Sequence, residues 1–243
     1  MNRRLGHAGA VAATIVCLGF SGCDSLPGRP NAAHREVVSS QIMAFDVLYN
    51  RNCAGCHGVD GRLGAARTLN DPIYLALVSA DRLRRVIGEG VRGTAMPAYG
   101  LSAGGDLTDA QIDALVEAML ARWGRPDAVK GLTLPPYEAP VMRTGPAERE
   151  RGAAVYARAC ASCHGRDGRG GPKGGSIVDP SYLSLVSDQS LRTTVIAGRP
   201  DLGKPDWRED VPGHPLTPQE ISDVVAWLAG HRQAVRGRPA REG

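Results

Sequence analysis

Aromatic side chains are scarce in this chain of 243 residues, of which they make up 5%. Two Phe, three Trp and six Tyr are few for an interior of this size, so something else must fill part of the core. The chain also lacks a series of long apolar runs, which excludes a bundle of membrane-spanning helices. Its basic residues form no block of five or six, so composition gives no reason to expect a nucleic-acid partner.

The N-terminus has the pattern of an export signal. Arg3 and Arg4 precede an apolar run from Ala8 to Phe20, which has the length of a signal-peptide core and is short for a bilayer span. The run leads into Ser-Gly-Cys23, which resembles the lipoprotein box in which the Cys becomes lipidated and N-terminal. An ordinary cleaved signal with an incidental Cys is the alternative.

Lipidation of Cys23 would hold the protein at the periplasmic face of a bacterial membrane. Asp24 follows it directly and resembles the inner-membrane retention signal of some bacteria, which favours the inner membrane. Cys17 leaves with the signal, so four further cysteines remain to be explained.

These four cysteines occur in two matching motifs, Cys53-Ala-Gly-Cys56-His57 and Cys160-Ala-Ser-Cys163-His164. The spacing is that of c-type haem attachment. On one helical turn, thiols at positions i and i+3 share a face and can reach the two vinyl groups on one edge of a porphyrin. The following His then carries an imidazole under the iron. The motifs therefore predict two covalent haems, with the cysteines as attachment sites and His57 and His164 as iron ligands.

Other uses of paired cysteines fit this sequence poorly. Disulfides are common in exported chains, a redox-active pair would sit in a strand-helix unit, and a zinc site would pool the pairs or add His at ligand spacing. Neither of the last two contexts is present, and the repetition of the whole motif favours haem.

The sequence repeats well beyond the motifs. The segment Asp71-Pro-Ile-Tyr-Leu-Ala-Leu-Val-Ser79 matches Asp179-Pro-Ser-Tyr-Leu-Ser-Leu-Val-Ser187. Thr108 and Thr217 are each followed three residues later by Gln or Glu, a capping-box start that predicts a terminal helix in each unit. Apolar residues then recur at i, i+3, i+4 and i+7, namely Ile112, Leu115, Val116, Met119 and Ile221, Val224, Val225, Leu228.

The repeat predicts a duplicated domain with flanking segments. These are a signal peptide over 1–22, a lipidated tether over 23–35, a first domain over 36–125, a Pro-rich extended linker over 126–146, a second domain over 147–232 and a disordered tail over 233–243.

Over about residues 40–232 the chain resembles the class I c-type cytochromes, specifically a tandem di-haem cytochrome c. The segments Cys-His-Gly-Val-Asp-Gly-Arg and Cys-His-Gly-Arg-Asp-Gly-Arg-Gly fit the glycine-rich loop of that family. The resemblance implies an all-α fold in which a few helices of each domain wrap around a covalently bound haem. The haem would then fill the core, which accounts for the shortage of aromatic residues.

The sixth iron ligand distinguishes the two domains. Met96-Pro97 resembles the Met-Pro ligand loop of the family, and a thioether opposite His raises the haem potential. When the repeats are aligned, Gly90 matches Gly198 and Met96 matches Lys204. Lys204 is therefore the first candidate for the second haem, although its amine must lose a proton against a reference pKa near ~10.4.

Other sixth ligands remain possible for the second haem. His214, Met142 from the linker, and an open or water-bound iron are the alternatives, with Lys204 then pointing to water. His34 and His231 are expected to be structural residues, the latter at the end of the last helix, where a cation is favourable.

These features favour a membrane-anchored electron carrier that passes single electrons between respiratory partners, such as an oxidase, a reductase or a small periplasmic carrier. A fixed haem subunit of a respiratory complex would use the same chemistry. The alternative is a di-haem oxidoreductase, peroxidase-like or acting on small sulfur or nitrogen compounds at an open site on haem 2. No Ser/His/Asp arrangement, phosphate loop or carboxylate pair has a recognisable motif context.

The haem assignment predicts the mass of the mature protein. When the chain is produced in a host with cytochrome c maturation, two haems should survive denaturation, because thioether bonds are covalent. Replacing Cys53 and Cys56 together by Ala should remove one haem and leave the other. A wild-type mass with one haem or none would contradict the assignment.

Overall fold

The structure is a computed structural model that describes residues 38–138, 145–209 and 211–233. The predicted signal peptide and tether and nearly all of the predicted tail lie outside the described residues. From Ser39 onward, the described residues belong to one compact unit. No helix within the described parts of the chain is long and apolar enough to cross a bilayer.

The predicted all-α architecture is confirmed. The first half contains α1 (Phe45–Asn52), α2 (Ala54–His57), α3 (Pro72–Leu77), α4 (Ala80–Glu89) and α5 (Asp109–Trp123). The second half repeats this order with α6 (Pro146–Ala159), α7 (Ala161–His164), α8 (Pro180–Leu185), α9 (Asp188–Ala197) and α10 (Pro218–Ala229). Short 3-10 turns cover Ser39–Gln41, Leu101–Ala103, Pro126–Val129 and Pro200–Leu202. A two-residue hairpin pairs β1 (Gly170–Gly171) with β2 (Gly174–Gly175).

Polar side chains set the helix starts in both halves. Asp71 accepts hydrogen bonds from the backbone N–H groups of Ile73 and Tyr74, and Asp179 caps α8 through Tyr182. Each satisfies donors that a helix leaves unpaired in its first turn. Both predicted capping boxes are present, at Thr108 before α5 and at Thr217 before α10.

The terminal helices bury the predicted apolar faces. All eight side chains of the two predicted stripes are buried, from Ile112 to Met119 and from Ile221 to Leu228. In the first half α5 packs on α1, and in the second α10 packs on α6. The first Cys of each haem motif and the Ala after it are partly buried and pack against the core: Cys53, Ala54, Cys160 and Ala161.

An indole ring lies against the tyrosine of each first helix. Trp123 meets Tyr49 edge-on with ring centroids 5.2 Å apart, and Trp227 stacks on Tyr156 at 4.1 Å. Trp123 lies 15 residues after its N-cap Thr108, and Trp227 lies 10 residues after Thr217. In both halves an indole ring therefore lies against the tyrosine, although the Trp comes from a different position along the last helix.

Two residues of the described part of the predicted linker, Pro136 and Tyr137, are hydrogen-bonded to the second half. Arg192 on α9 is 1% exposed, and its Nη2 donates to the carbonyl of Pro136 at 2.9 Å. Its Nη1 donates to the hydroxyl of Ser222 at 3.0 Å, and Gln189 Nε2 donates to the carbonyl of Tyr137 at 2.8 Å. A buried guanidinium requires acceptors, and linker carbonyls supply them.

The crossing of α6 and α10 leaves no room for a side chain at Gly152. A Cβ there would lie 2.0 Å from the carbonyl oxygen of Asp223 and 2.8 Å from Cβ of Trp227. Gly152→Ala should therefore lower the free energy of unfolding by about 1–3 kcal/mol, the usual range for overpacking. Denaturant unfolding of the haem-loaded protein measures this.

Gly88→Ala is the matched control, because Gly88 is also helical and its Cβ would meet only Cδ1 of Ile112 at 3.6 Å. Helix propensity alone should make Gly88→Ala stabilising by about 0.5–1 kcal/mol. If Gly152→Ala stabilises the protein equally, the close helix crossing is wrong.

Candidate haem sites

The two Cys-x-x-Cys-His motifs have the same local structure. In each, the first Cys lies between two helices, with φ −118° and ψ −39° at Cys53 and φ −116° and ψ −28° at Cys160. The remaining motif residues form the short helices α2 and α7, so both thiols and the imidazole of each motif share one helical turn, as predicted. Gly58 and Gly165 end these helices with φ of 82° and 81°, a conformation that glycine adopts without strain.

None of the four motif cysteines forms a disulfide: Cys53, Cys56, Cys160 and Cys163. Among the residues that the structure describes, no three His, Cys, Asp or Glu side chains come together in a metal cluster. Burial, and then the neighbouring Cys56, raise the pKa of Cys53 to about 11, so this thiol is protonated at neutral pH.

Each motif imidazole is oriented by a backbone carbonyl. The Nδ1 atom of His57 lies 2.7 Å from the carbonyl oxygen of Arg67, and that of His164 lies 2.8 Å from the carbonyl oxygen of Gly175. A carbonyl can only accept, so Nδ1 carries the proton and Nε2 has a free lone pair for a metal. Burial, together with the charges of Arg67 and Arg199, lowers the pKa of His57 and keeps it neutral, although its backbone bond opposes the shift.

The loops after the motifs pass close to the Cys backbone at glycines. A Cβ at Gly64 would lie 2.2 Å from the carbonyl oxygen of Cys56, and one at Gly171 would lie 2.6 Å from that of Cys163. In each half two thiols and an imidazole with a free Nε2 thus lie on one turn that a close backbone loop supports. This is the donor set that a covalently attached haem requires, so the residues fit the group.

Met96 and Lys204 occupy equivalent places in the two halves. Gly90 and Gly198 both have φ of 68°. A Cβ at Gly90 would lie 2.8 Å from the carbonyl oxygen of Met96, and one at Gly198 would lie 2.8 Å from that of Lys204. The alignment that pairs Met96 with Lys204 therefore corresponds to one backbone arrangement.

Lys204 reaches the hairpin that contacts His164. Its Nζ donates to the carbonyl of Lys173, which precedes β2, and the carbonyl of Gly175 in β2 accepts from His164. A Cβ at Gly174 would lie 2.8 Å from the His164 ring. The structure therefore brings Lys204 and His164 to the same short hairpin.

The other candidate ligands are engaged elsewhere or lie outside the described residues. His214 Nε2 lies 3.2 and 3.3 Å from the two carboxylate oxygens of Glu220, and His231 Nδ1 lies 2.9 Å from the carbonyl oxygen of Trp227. Burial alone would raise the pKa of Glu220, but hydrogen bonds from Thr217, His214 and Arg158 lower it to about 2. Met142 and His34 lie outside the described residues.

Two arginines near the first site were not singled out from the sequence. Arg67 supplies the carbonyl for His57, and Arg199 donates from Nη2 to the carbonyl of Gly64 at 3.0 Å. The repeat alignment contains one signal for Arg199, because it takes the place of Val91 in the first half. The alignment contains no such signal for Arg67, because its backbone carbonyl, and not its side chain, contacts His57.

Two family matches cover most of the described chain. Residues 40–117 match the family described as cytochrome C oxidase, cbb3-type, subunit III, and residues 149–232 match the family described as cytochrome c. Each matched region contains one of the Cys-x-x-Cys-His motifs.

Curated relatives align across both regions. The cbb3-type cytochrome c oxidase subunit FixP of Azorhizobium caulinodans is 26% identical over 202 residues, which cover 79% of this chain and 60% of the relative. The cbb3-type subunit CcoP of Cereibacter sphaeroides is also 26% identical, over 82% of this chain and 64% of the relative. The chain thus spans about three fifths of the length of these relatives.

Among solved structures, a chain of the Kuenenia stuttgartiensis reducing HAO-like protein complex aligns over 98% of its own length with 82% of this chain. The identity is 18% and the TM-score 0.45.

The backbone packing at Gly90 predicts the effect of a methyl group there. Gly90→Ala should displace Met96 and Pro97, because the Cβ would lie 2.6 Å from the carbonyl carbon of Pro97. The weak visible absorption diagnostic of Met ligation, expected for haem 1, should then be lost or reduced.

Gly104→Ala is the control, because Gly104 also has a positive φ, 85°, but a Cβ there would meet no atom within 4 Å. It should add backbone strain and leave the Met signature in place. Equal spectra for the two variants would argue against a role of Gly90 in shaping the Met96 loop.

Proposed function

We propose that this chain, which consists of two cytochrome c domains in tandem and carries two covalently bound c-type haems, relays single electrons between respiratory redox partners. The observation that carries the proposal is the pair of equivalent sites in one compact unit, with Met96 at one and Lys204 at the matching place of the other. When bound, each haem iron supplies a one-electron couple between its ferric and ferrous forms. The residues around it hold the iron and set its potential.

In this proposal each half supplies three anchoring residues to its haem. Cys53 and Cys56 bind haem 1 through thioethers, with His57 as the fifth ligand of its iron. Cys160, Cys163 and His164 do the same for haem 2. The absence of a disulfide at these four cysteines and the hydrogen bonds from the Nδ1 atoms to backbone carbonyls support these roles.

The sixth ligands make the two relays unequal. We assign this position to Met96 in haem 1 and to Lys204 in haem 2. A thioether favours ferrous iron, whereas an amine donates more strongly to ferric iron. Met96 therefore raises the potential of haem 1 and Lys204 lowers that of haem 2, which makes transfer from haem 2 to haem 1 downhill.

The named relatives support a respiratory partner. FixP and CcoP are subunits of cbb3-type cytochrome c oxidases by their names. A respiratory complex, an oxidase or a small periplasmic carrier is the proposed class of partner. We further propose that an export signal and a lipid on Cys23 hold the chain at the periplasmic face of the inner membrane, where it would meet this partner.

Exchange of the candidate ligand tests the relay. Lys204→Met should add a second Met absorption signature and raise the lower of the two potentials, because a thioether replaces an amine. Lys204→Ala should open the site and produce a high-spin ferric haem. Absorption spectroscopy and a redox titration of the haem-loaded protein measure both effects.

Lys173→Met is the matched control, because Lys173 is an exposed neighbour whose carbonyl, and not its side chain, contacts Lys204. It should leave one Met signature and both potentials unchanged. A wild-type protein that already contains a high-spin ferric haem binding cyanide or peroxide rapidly would overturn the Lys204 assignment and favour an enzyme.

The anchor has its own test. Cys23→Ser should release the protein from membranes, because Ser cannot receive the lipid thioether. Fractionation of cells that produce each form measures the difference. Unchanged membrane retention of the variant would contradict lipidation at Cys23.

A further inference from the structure

The loop that follows the first haem motif is held by the second domain. This loop, residues 58–67, is called the haem 1 loop below. The N–H of Leu63 donates to Oδ2 of Asp201 at 2.9 Å, and Nη2 of Arg199 donates to the carbonyl of Gly64 at 3.0 Å. Both partners belong to the segment that leads to Lys204.

A third contact lies at the end of the haem 1 loop. Nη2 of Arg67 donates to the carbonyl of Ser190 and to the hydroxyl of Thr194, at 2.7 Å each, and both acceptors lie on α9. The same guanidinium lies 5.1 Å from the ring centroid of Tyr74. The backbone carbonyl of Arg67 meanwhile accepts from His57. One residue therefore joins the iron ligand of the first domain to a helix of the second.

Asp201 is buried and is held by two hydrogen bonds from Arg199. Its side chain is 1% exposed and accepts from Nε and Nη2 of Arg199 at 3.0 and 2.9 Å. Its partner Leu63 has φ of 59°, in the left-handed region, where a non-glycine residue is strained. The carboxylate thus holds a strained residue in the haem 1 loop.

We infer that the second domain positions His57 of the first through this loop, so that Arg67, Thr194, Arg199 and Asp201 are positioning residues for haem 1. The inference deepens the proposed relay function and rests on it for its biological meaning. The hydrogen bond from Nδ1 makes the ligand imidazole more basic and stabilises ferric iron. A loop that moves away from His57 weakens that bond, and the potential of haem 1 rises.

Two adjacent threonines on α9 provide the test. Thr194 and Thr193 both donate their hydroxyls to the carbonyl four residues before, at 2.8 Å to Ser190 and 2.7 Å to Gln189. Only Thr194 also accepts from Arg67. Thr194→Val therefore removes one of the two acceptors of Arg67 and leaves the carbonyl of Ser190, whereas Thr193→Val makes the same chemical change on the same helix and removes an acceptor of Gln189, not of Arg67.

The haem-loaded, full-length variants are compared by two measurements. A redox titration should give a higher potential for haem 1 in Thr194→Val, with haem 2 unchanged. Solvent exchange of the His57 Nδ1 proton, followed by NMR, should become several-fold to about tenfold faster, as expected for loss of about one hydrogen bond. Thr193→Val should keep the wild-type values of both.

A second variant is independent of α9 packing. Arg67→Lys keeps the charge and the backbone carbonyl but replaces the guanidinium, whose Nη2 donates to both acceptors, by a shorter amine, and should shift haem 1 in the same direction. If neither variant changes the potential of haem 1 or the proton exchange, or if Thr193→Val changes them equally, the inference is overturned.

Failure of this inference is distinguishable from failure of the relay. The potentials and exchange rates are properties of this protein alone and are measured without a partner protein. The relay fails instead if the wild-type protein contains an open, ligand-binding haem, whatever the threonine variants show.

Discussion

The hydrogen bond between each motif imidazole and a backbone carbonyl is the constraint on which both haem sites depend. The acceptor lies ten residues after His57 and eleven after His164, so a whole loop must return to the imidazole in each half. The return requires close backbone approach, which explains the absence of a side chain at Gly64 and Gly171. Once the bond is made, tautomer, ring orientation and free nitrogen are fixed together.

Both halves form this hydrogen bond between imidazole and carbonyl, but the loops that carry the carbonyl differ. The first half closes its loop with an irregular turn that includes Leu63, and the second with a hairpin at Gly170–Gly175. Gly90 and Gly198 have kept the same φ, while the residues that they pack against differ in chemistry. The duplicated backbone therefore accepts different side chains at the position that we propose for the sixth iron ligand, without a change of path.

Sequence periodicity was sufficient for the two terminal helices and their starts. The capping boxes at Thr108 and Thr217 and the apolar stripes depend on spacings of three and four residues, which a sequence displays directly. The spacing of the two Cys residues in each motif likewise predicted that the motif residues share one helical turn. The assignment of individual residues as iron ligands stays a prediction.

Contacts between distant parts of the chain were not predictable in this way. The bond from Arg67 to Thr194 joins residues 127 positions apart, and neither belongs to a repeated motif. The indole rings of Trp123 and Trp227 reach similar places from different helical positions, which no alignment of the repeats reveals. Such contacts depend on packing in three dimensions and produce no periodic pattern in the sequence.

The burial of Arg192 has a consequence for the evolution of the two halves as separable modules. Its guanidinium is satisfied by the carbonyls of Pro136 and Tyr137, which precede the second family match at residue 149 by more than ten positions. A second half excised at that boundary would carry a buried cation that has lost both backbone carbonyls and keeps only the hydroxyl of Ser222, a defect that costs about 1–3 kcal/mol. The structural unit of this domain thus begins before its recognisable sequence, and recombination between residues 137 and 149 would separate the Arg192 side chain from the backbone carbonyls that accept its hydrogen bonds.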